Sequence, residues 1–277
     1  ALVTPPRRDG SINPCLLVAA GEVGIRRIHK IGSAWAIAAL AFGTGSVGRV
    51  DVIVGPGNIH VTLAKKLVSG VVGIDMLAGP SEILVVADDS ARPEYIAADL
   101  LSQAEHDPMA SAILITTDAT LVGRVDGALR EQMGKLPRNE IASQAIESYG
   151  AAFLVEDIDA GIDLSNRLAP EHLELQVREP LALLGKVRNA GAVFMGELTP
   201  EAVGDYYAGP NHVLPTAGTA RFSSALGVES FLKRTSVIAY SREALNRDAA
   251  SIVRLAELEG LEAHAASVRI RMDKPGH

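Results

Sequence analysis

The chain has 277 residues, of which 48% are hydrophobic, 21% charged and only 4% aromatic, and its formal net charge is −7. That length suits two domains, or one large domain with a smaller companion, and the acidic balance argues against a nucleic-acid or anionic-membrane partner. No apolar run approaches a membrane span, and the opening residues carry no signal-peptide pattern.

The opening "ALVTPPRRDG" reads as a short strand running into a double proline. "PCLLVAAGEVG" (14–24) reads as a helix closed by glycine, and its single cysteine, Cys15, is expected to be a buried structural thiol in a reducing, cytoplasmic setting. "SAWAIAALAFGTGSVG" is an alanine-rich helix ending in a Gly/Ser turn. "VDVIVGPGN" is a buried strand stopped by a Gly-Pro-Gly turn, and "IHVTLAKKLVSG" a helix. Strands are expected in "EILVVADDS", "SAILITTD", "AAFLVED", "HLELQV" and "AGAVFMG". Helices are expected in "RPEYIAADLLSQAEHD", "ATLVGRVDGALREQMGKL", "IDAGIDLSNRL" and "PLALLGKV". A turn-rich loop spans 196–218, too long for an idle connection. The tail reads as a strand-like "TSVIAY" and the helix "REALNRDAASIVRLAELEG". This alternation, with aliphatic rather than aromatic core residues, predicts an α/β fold of Rossmann-like, mostly parallel sheets flanked by helices.

Four of the seven histidines sit in compact polar stretches. In "SQAEHDP", Gln103 and His106 are three apart, so on a helix both face one side. They suit either a polar helix end or an imidazole-and-carbonyl ligand pair. In "LAPEHLEL", Glu171 and His172 stand at the start of a strand, where adjacent residues point to opposite faces. They could approach a ligand from two sides, or be a surface Glu beside a half-buried His. "GDYYAGPNHVLPT" offers Asp205 and His212, the former a possible ligand or a turn aspartate. "LEGLEAHAAS" offers Glu259 and His264, or an exposed helix end. "VGPGN" resembles a phosphate-cradling turn without a full dinucleotide fingerprint, and Ser81 in "AGPSE" either meets a ligand or caps a helix. Together these stretches supply a mixed set, Gln-His-Asp-His, suited to Zn²⁺ with Mn²⁺ or Co²⁺ possible, plus a separate Glu-His pair.

Motifs in order along nearly the whole chain carry a resemblance: "GSAWAIAALAFGT", "VDVIVGPGN", "GIDMLAGPSEILVVAD", "AADLLSQAEHDP", "APEHLEL", "AGAVFMGELTPEAVGDYYAGPNHVLPT", "ARFSSALGV" and "EGLEAHAASVRIR". The sequence resembles histidinol dehydrogenases. The resemblance implies oxidation of L-histidinol to L-histidine through the aldehyde, with two NAD⁺ reduced, by a zinc-dependent homodimer with a shared active site. It implies zinc ligands Gln103, His106, Asp205 and His264, the last reaching the neighbouring subunit's site. Ser81, His172 and Glu259 match substrate contacts alongside the zinc ligands, and Asn58 matches a cofactor contact. His172 would take the hydroxyl proton as hydride leaves, and Glu171 would activate water in the second oxidation. His212 is expected as a wall residue of the site. Two departures stand out: the family's long N-terminal segment before "ALVTPP" is not in this sequence, and Trp35 stands where the family usually has Gln at a cofactor contact. The first should leave an exposed sheet edge or unfilled face near "ALVTPP". A related zinc/NAD dehydrogenase of another small alcohol, or a truncated non-catalytic paralogue, are the competing readings. The expected organisation is an incomplete Rossmann-like cofactor domain (1–80), a main α/β domain with the zinc and catalytic site (81–225), and a dimer-contacting C-terminal extension (226–277).

Overall fold

The structure, a computed structural model, describes residues 1–272. β1 (Leu2–Thr4) pairs in parallel with β2 (Ile28–Lys30) in a two-stranded sheet. Between them lies α1 (Pro14–Glu22), started by proline and by the Asn13 side chain, which accepts from Cys15 N. Cys15 is exposed rather than buried, because α1 buries only Ala20 and its first turn has no core to enter. α2 (Ser33–Phe42) packs on α3 (Ile59–Val68). With β3 (Val52–Ile53) and β4 (Gly73–Ile74), a second parallel pair, they close a small core of Ile37, Leu40, Ile53, Val68 and Val72. Trp35 on α2 is 76% exposed.

The larger layer is a parallel sheet of β5 (Glu82–Ala87), β6 (Ser111–Thr116), β7 (Gly150–Leu154), β8 (His172–Gln176) and β9 (Ala192–Met195), in the order β7-β6-β5-β8-β9. The crossovers carry α4 (Pro93–Ala104), α5 (Ala119–Met133) with α6 (Asn139–Tyr149), α7 (Ile158–Leu168) and α8 (Pro180–Leu183). The central β5 reads "EILVVA", a continuous apolar run, because both of its faces are covered. Ile83 and Val85 pack with Ile96, Leu100, Leu121 and Val125 on one side. Leu84 and Val86 pack with Ile162, Leu173 and Leu175 on the other.

β8 alternates differently. Leu173 and Leu175 enter the core, while His172, Glu174 and Gln176 take the opposite parity and are all buried. Burying that polar face requires partners, which α4 and the segment after β9 supply. The loop expected over 196–218 is interrupted there by α9 (Glu201–Tyr206).

A second compact unit begins at Leu232 and consists of α10 (Arg242–Leu258) and α11 (Glu262–Arg269) packed on each other. "TSVIAY", expected as a strand, forms none. A strand needs a ladder partner, and Val237 and Ile238 remain 91% and 83% exposed. Among the described residues no helix is long and apolar enough to cross a membrane.

Candidate functional site

A cavity of about 340 Å³ opens at the amino ends of β5 and β8. Ser81 precedes β5, Glu171 precedes β8, and His172 opens it. Gln103 comes from the last turn of α4 and His106 from just beyond it, Asp205 from α9, and His212 from the following loop; all seven line the cavity. The location is at the opposite end of the sheet from the usual ligand crevice of open α/β folds. The helix geometry explains it. α4 runs back against β5, so its C-terminal end returns to where the strands begin.

The floor is a Gly-Pro-Gly turn after β3, of which Pro56 and Gly57 line the cavity. Lys65 and Asp75 form an ion pair with side chains 3% and 1% exposed. Lys65 Nζ also donates to Gly55 O at 3.1 Å, and Gly55 N donates to Asp75 Oδ2 at 2.7 Å. The turn is thus clamped to α3 on one side and to Asp75, just after β4, on the other. Asn58 does not line the cavity; its side chain caps α3 by accepting from His60 N and Val61 N at 3.1 and 3.2 Å. Opposite, Gly79 N donates to Thr216 Oγ1 at 2.5 Å, closing the wall.

His172 is 3% exposed. Its Nδ1 lies 2.9 Å from Glu82 O, an acceptor, so Nδ1 carries the proton. Nε2 is left with a lone pair, buried and without a partner. Burial lowers the pKa of the ring and holds it neutral. Glu171 Oε2 accepts from Glu82 N at 2.9 Å and lies 3.7 Å from His172 Nδ1, so the pair is closer than opposite strand faces suggest. Glu171 stands before the regular strand, which frees it from the alternation. Burial, reinforced by Glu82, Glu201 and Asp205, pushes its carboxyl up to about 8.

Gln103 is 1% exposed, and its Oε1 has no hydrogen-bond partner. A buried carbonyl oxygen without a donor is costly, and a cation or a ligand N–H in the cavity would satisfy it. His172, Glu201 and Asp205 offer ligand atoms within 4.8 Å of one another, a possible metal site. Three imidazoles, a carboxamide and several carboxylates converging on one cavity fit a borderline cation of the zinc type. Asp205 belongs both to this cluster and to the ligand set expected from the sequence.

Glu201 went unnoticed in the sequence. The signal was present: in "EAVGD" it precedes Asp205 by four, which puts both on one helical face. Glu259 ends α10 and His264 lies on α11, both in the second unit.

Fold and cavity together define a parallel α/β protein built around a metal-type donor set. The chain belongs to the histidinol dehydrogenase family, whose profile matches residues 1–272. It is similar to the histidinol dehydrogenase of Desulfotalea psychrophila, with 59% identity over 271 residues, 98% of this chain and 62% of that relative. It is also similar to that of a Synechococcus species, at 57% over 270 residues with the same two shares, 98% and 62%. The crystal structure of histidinol dehydrogenase from Elizabethkingia anophelis matches with a TM-score of 0.93 and 42% identity, over 98% of this chain and 63% of that one. The chain therefore spans about 62% of the length of these curated relatives.

Proposed function

We propose that the chain carries the substrate- and metal-handling part of an enzyme that oxidises L-histidinol to L-histidine through histidinaldehyde, reducing two NAD⁺. In this reading Gln103, His106 and Asp205 hold zinc with His264 of a second copy, the protein is a cytoplasmic homodimer, and Asn58 meets NAD. Ser81 and Glu259 meet the substrate. Residues 1–80 act as the cofactor side, 81–225 hold the site, and 226–277 extend to the other subunit. When bound, the zinc would hold the substrate's amine and imidazole nitrogens and NAD⁺ would accept hydride.

The observation that carries the reading is the state of His172. A neutral imidazole that lines the cavity and keeps Nε2 unpartnered can accept the hydroxyl proton as hydride departs, and its Nδ1–H···O bond to Glu82 keeps the ring oriented throughout. The aldehyde must then be attacked by water. Glu171, next to His172 in the same cavity, is placed to take a proton from that water. Its raised pKa makes it a stronger base than an exposed carboxylate once deprotonated. His212 lines the wall and takes no part in the proton transfers of this scheme.

Zinc-loaded protein given L-histidinol and NAD⁺ is expected to form NADH, followed by absorbance. His172→Ala should lower the rate by about 10²–10⁴-fold, the usual contribution of a general base, with fold and zinc content kept. An undiminished rate would remove His172 from the role. No NADH from the unmodified chain with zinc bound would mean that this chain binds without turning over.

A further inference from the structure

Two helices supply the proposed ligands of this chain: α4 with Gln103 and the adjoining His106, and α9 with Asp205. α9 is only six residues long and is preceded by irregular chain, so its position must be imposed from outside. Glu201, at its start, is 2% exposed. Its backbone N–H donates to Glu174 Oε1 on β8 at 3.0 Å. Its Oε2 meets the Ser102 hydroxyl of α4 at 2.9 Å, and that hydroxyl also reaches Asp99 O at 2.7 Å. Ser102 is the residue next to Gln103. One helical turn on, Asp205 brings a carboxylate oxygen within 4.8 Å of one of Glu201. The remaining oxygen, Oε1, lies 3.8 Å from the unpartnered His172 Nε2. Glu201 thus touches both helices, the strand and the cavity. Gly204 allows this seating: a Cβ there would come within 2.7 Å of the Phe194 ring, which itself lies 5.9 Å from the His172 ring, centroid to centroid.

We propose that Glu201, braced by Ser102, is a positioning residue that places Asp205 by locking α9 to α4 and β8, so that the ligands of the two helices meet at one metal. Outer hydrogen bonds that hold the ligands in place ordinarily govern affinity, and their loss costs about 10–100-fold. The inference rests on the metal reading above and assigns Glu201, one of the three residues whose ligand atoms cluster within 4.8 Å, to a role beside the proposed ligands Gln103, His106 and Asp205 rather than among them. A Gln at this position keeps the shape and an oxygen for the Ser102 hydroxyl; an Ala keeps neither.

The test is calorimetric titration of the metal-free full chain with Zn²⁺, alongside thermal unfolding without metal. Glu201→Ala is expected to lose about 10–100-fold in affinity, and Glu201→Gln to stay within about threefold of the native chain, as the conserved bond predicts. Ser102→Ala should weaken binding in the same direction, with metal-free unfolding unchanged. Native affinity in Glu201→Ala, or equal losses in the Gln and Ala variants, overturns the proposal. Where Glu201→Ala does not fold, Ser102→Ala decides, and native affinity there overturns it. Failure of the unmodified chain to bind Zn²⁺ would instead sink the metal reading itself.

Discussion

Adjacent in sequence, Glu171 and His172 are both buried, and burial acts on them in opposite senses. It keeps the imidazole neutral and keeps the carboxyl protonated to a higher pH. Two proton acceptors with different thresholds suit the two successive oxidations of the proposed reaction. Glu171→Gln should therefore slow oxidation of supplied histidinaldehyde by about 10²–10⁴-fold while slowing the first hydride transfer far less. Rapid mixing with NADH detection separates the two steps, and equal losses in both would place Glu171 elsewhere. Two residues on, Glu174 is a different case. It shares the Gln176 side-chain amide with Asp99, at 2.8 and 2.7 Å, and burial next to that carboxylate pushes it up to about 9. Since its ordinary value is 4.5, the folded state binds a proton that the unfolded state has released between those values. The stability from this group is complete below 4.5 and is lost as pH rises toward 9. Glu174→Gln mimics the protonated form, so urea unfolding from pH 5 to 9 should show a shallower decline than in the native chain. An unchanged slope would mean that other groups carry the dependence.

At the scale of elements, the local sequence signals locate each main strand, and the capping residues mark helix starts: Asn58 for α3, Asp118 for α5 and Asp157 for α7. The exceptions are instructive. β2 and β4, three and two residues long, are strands only because β1 and β3 lie beside them. α6 passes unread because its buried positions are the small Ala142 and Ala145, while Ile141 and Ile146 are only half-buried. "TSVIAY" has strand composition and no partner ladder. The clamp on the Gly-Pro-Gly turn is likewise tertiary, since Lys65 and Asp75 come from different elements. Lys65→Met leaves the Asp75 carboxylate buried without its cation and should cost about 3–5 kcal/mol, measured by denaturant unfolding. A loss below about 1 kcal/mol, the worth of an exposed pair, would show that water reaches Asp75.

At the scale of the molecule, the second unit buries little of its own. Among the described residues from Leu232 onward, Ala249 and Ala265 are the buried apolar residues, while Leu255, Leu258 and Ile270 are 63%, 75% and 82% exposed. Large apolar side chains left this exposed are in keeping with the proposed dimer, in which this unit reaches the other copy. The shared site has a direct test. His172→Ala and His264→Ala chains, each inactive alone, should regain NADH formation when unfolded together and refolded. In a mixed dimer one cavity then keeps its own His172 and receives an intact His264. Separate sites within each chain would give no recovery.

Order along the chain was enough to specify the parallel α/β class, the polar stretches and most of the cavity's residue types, because periodicity and turn chemistry are local. Ser81, Gln103, His106, Glu171, His172, Asp205 and His212, spread over 132 positions, meet only because parallel crossovers bring the amino ends of β5 and β8 to the end of α4. Glu201 entered the site for the same reason: an acid in a loop-like segment becomes a buried brace once α9 docks on Ser102 and β8. Which nitrogen of His172 is free was likewise decided in space, by the carbonyl of Glu82 on the neighbouring strand. Protonation states follow burial and partners, and those exist only once the chain has packed.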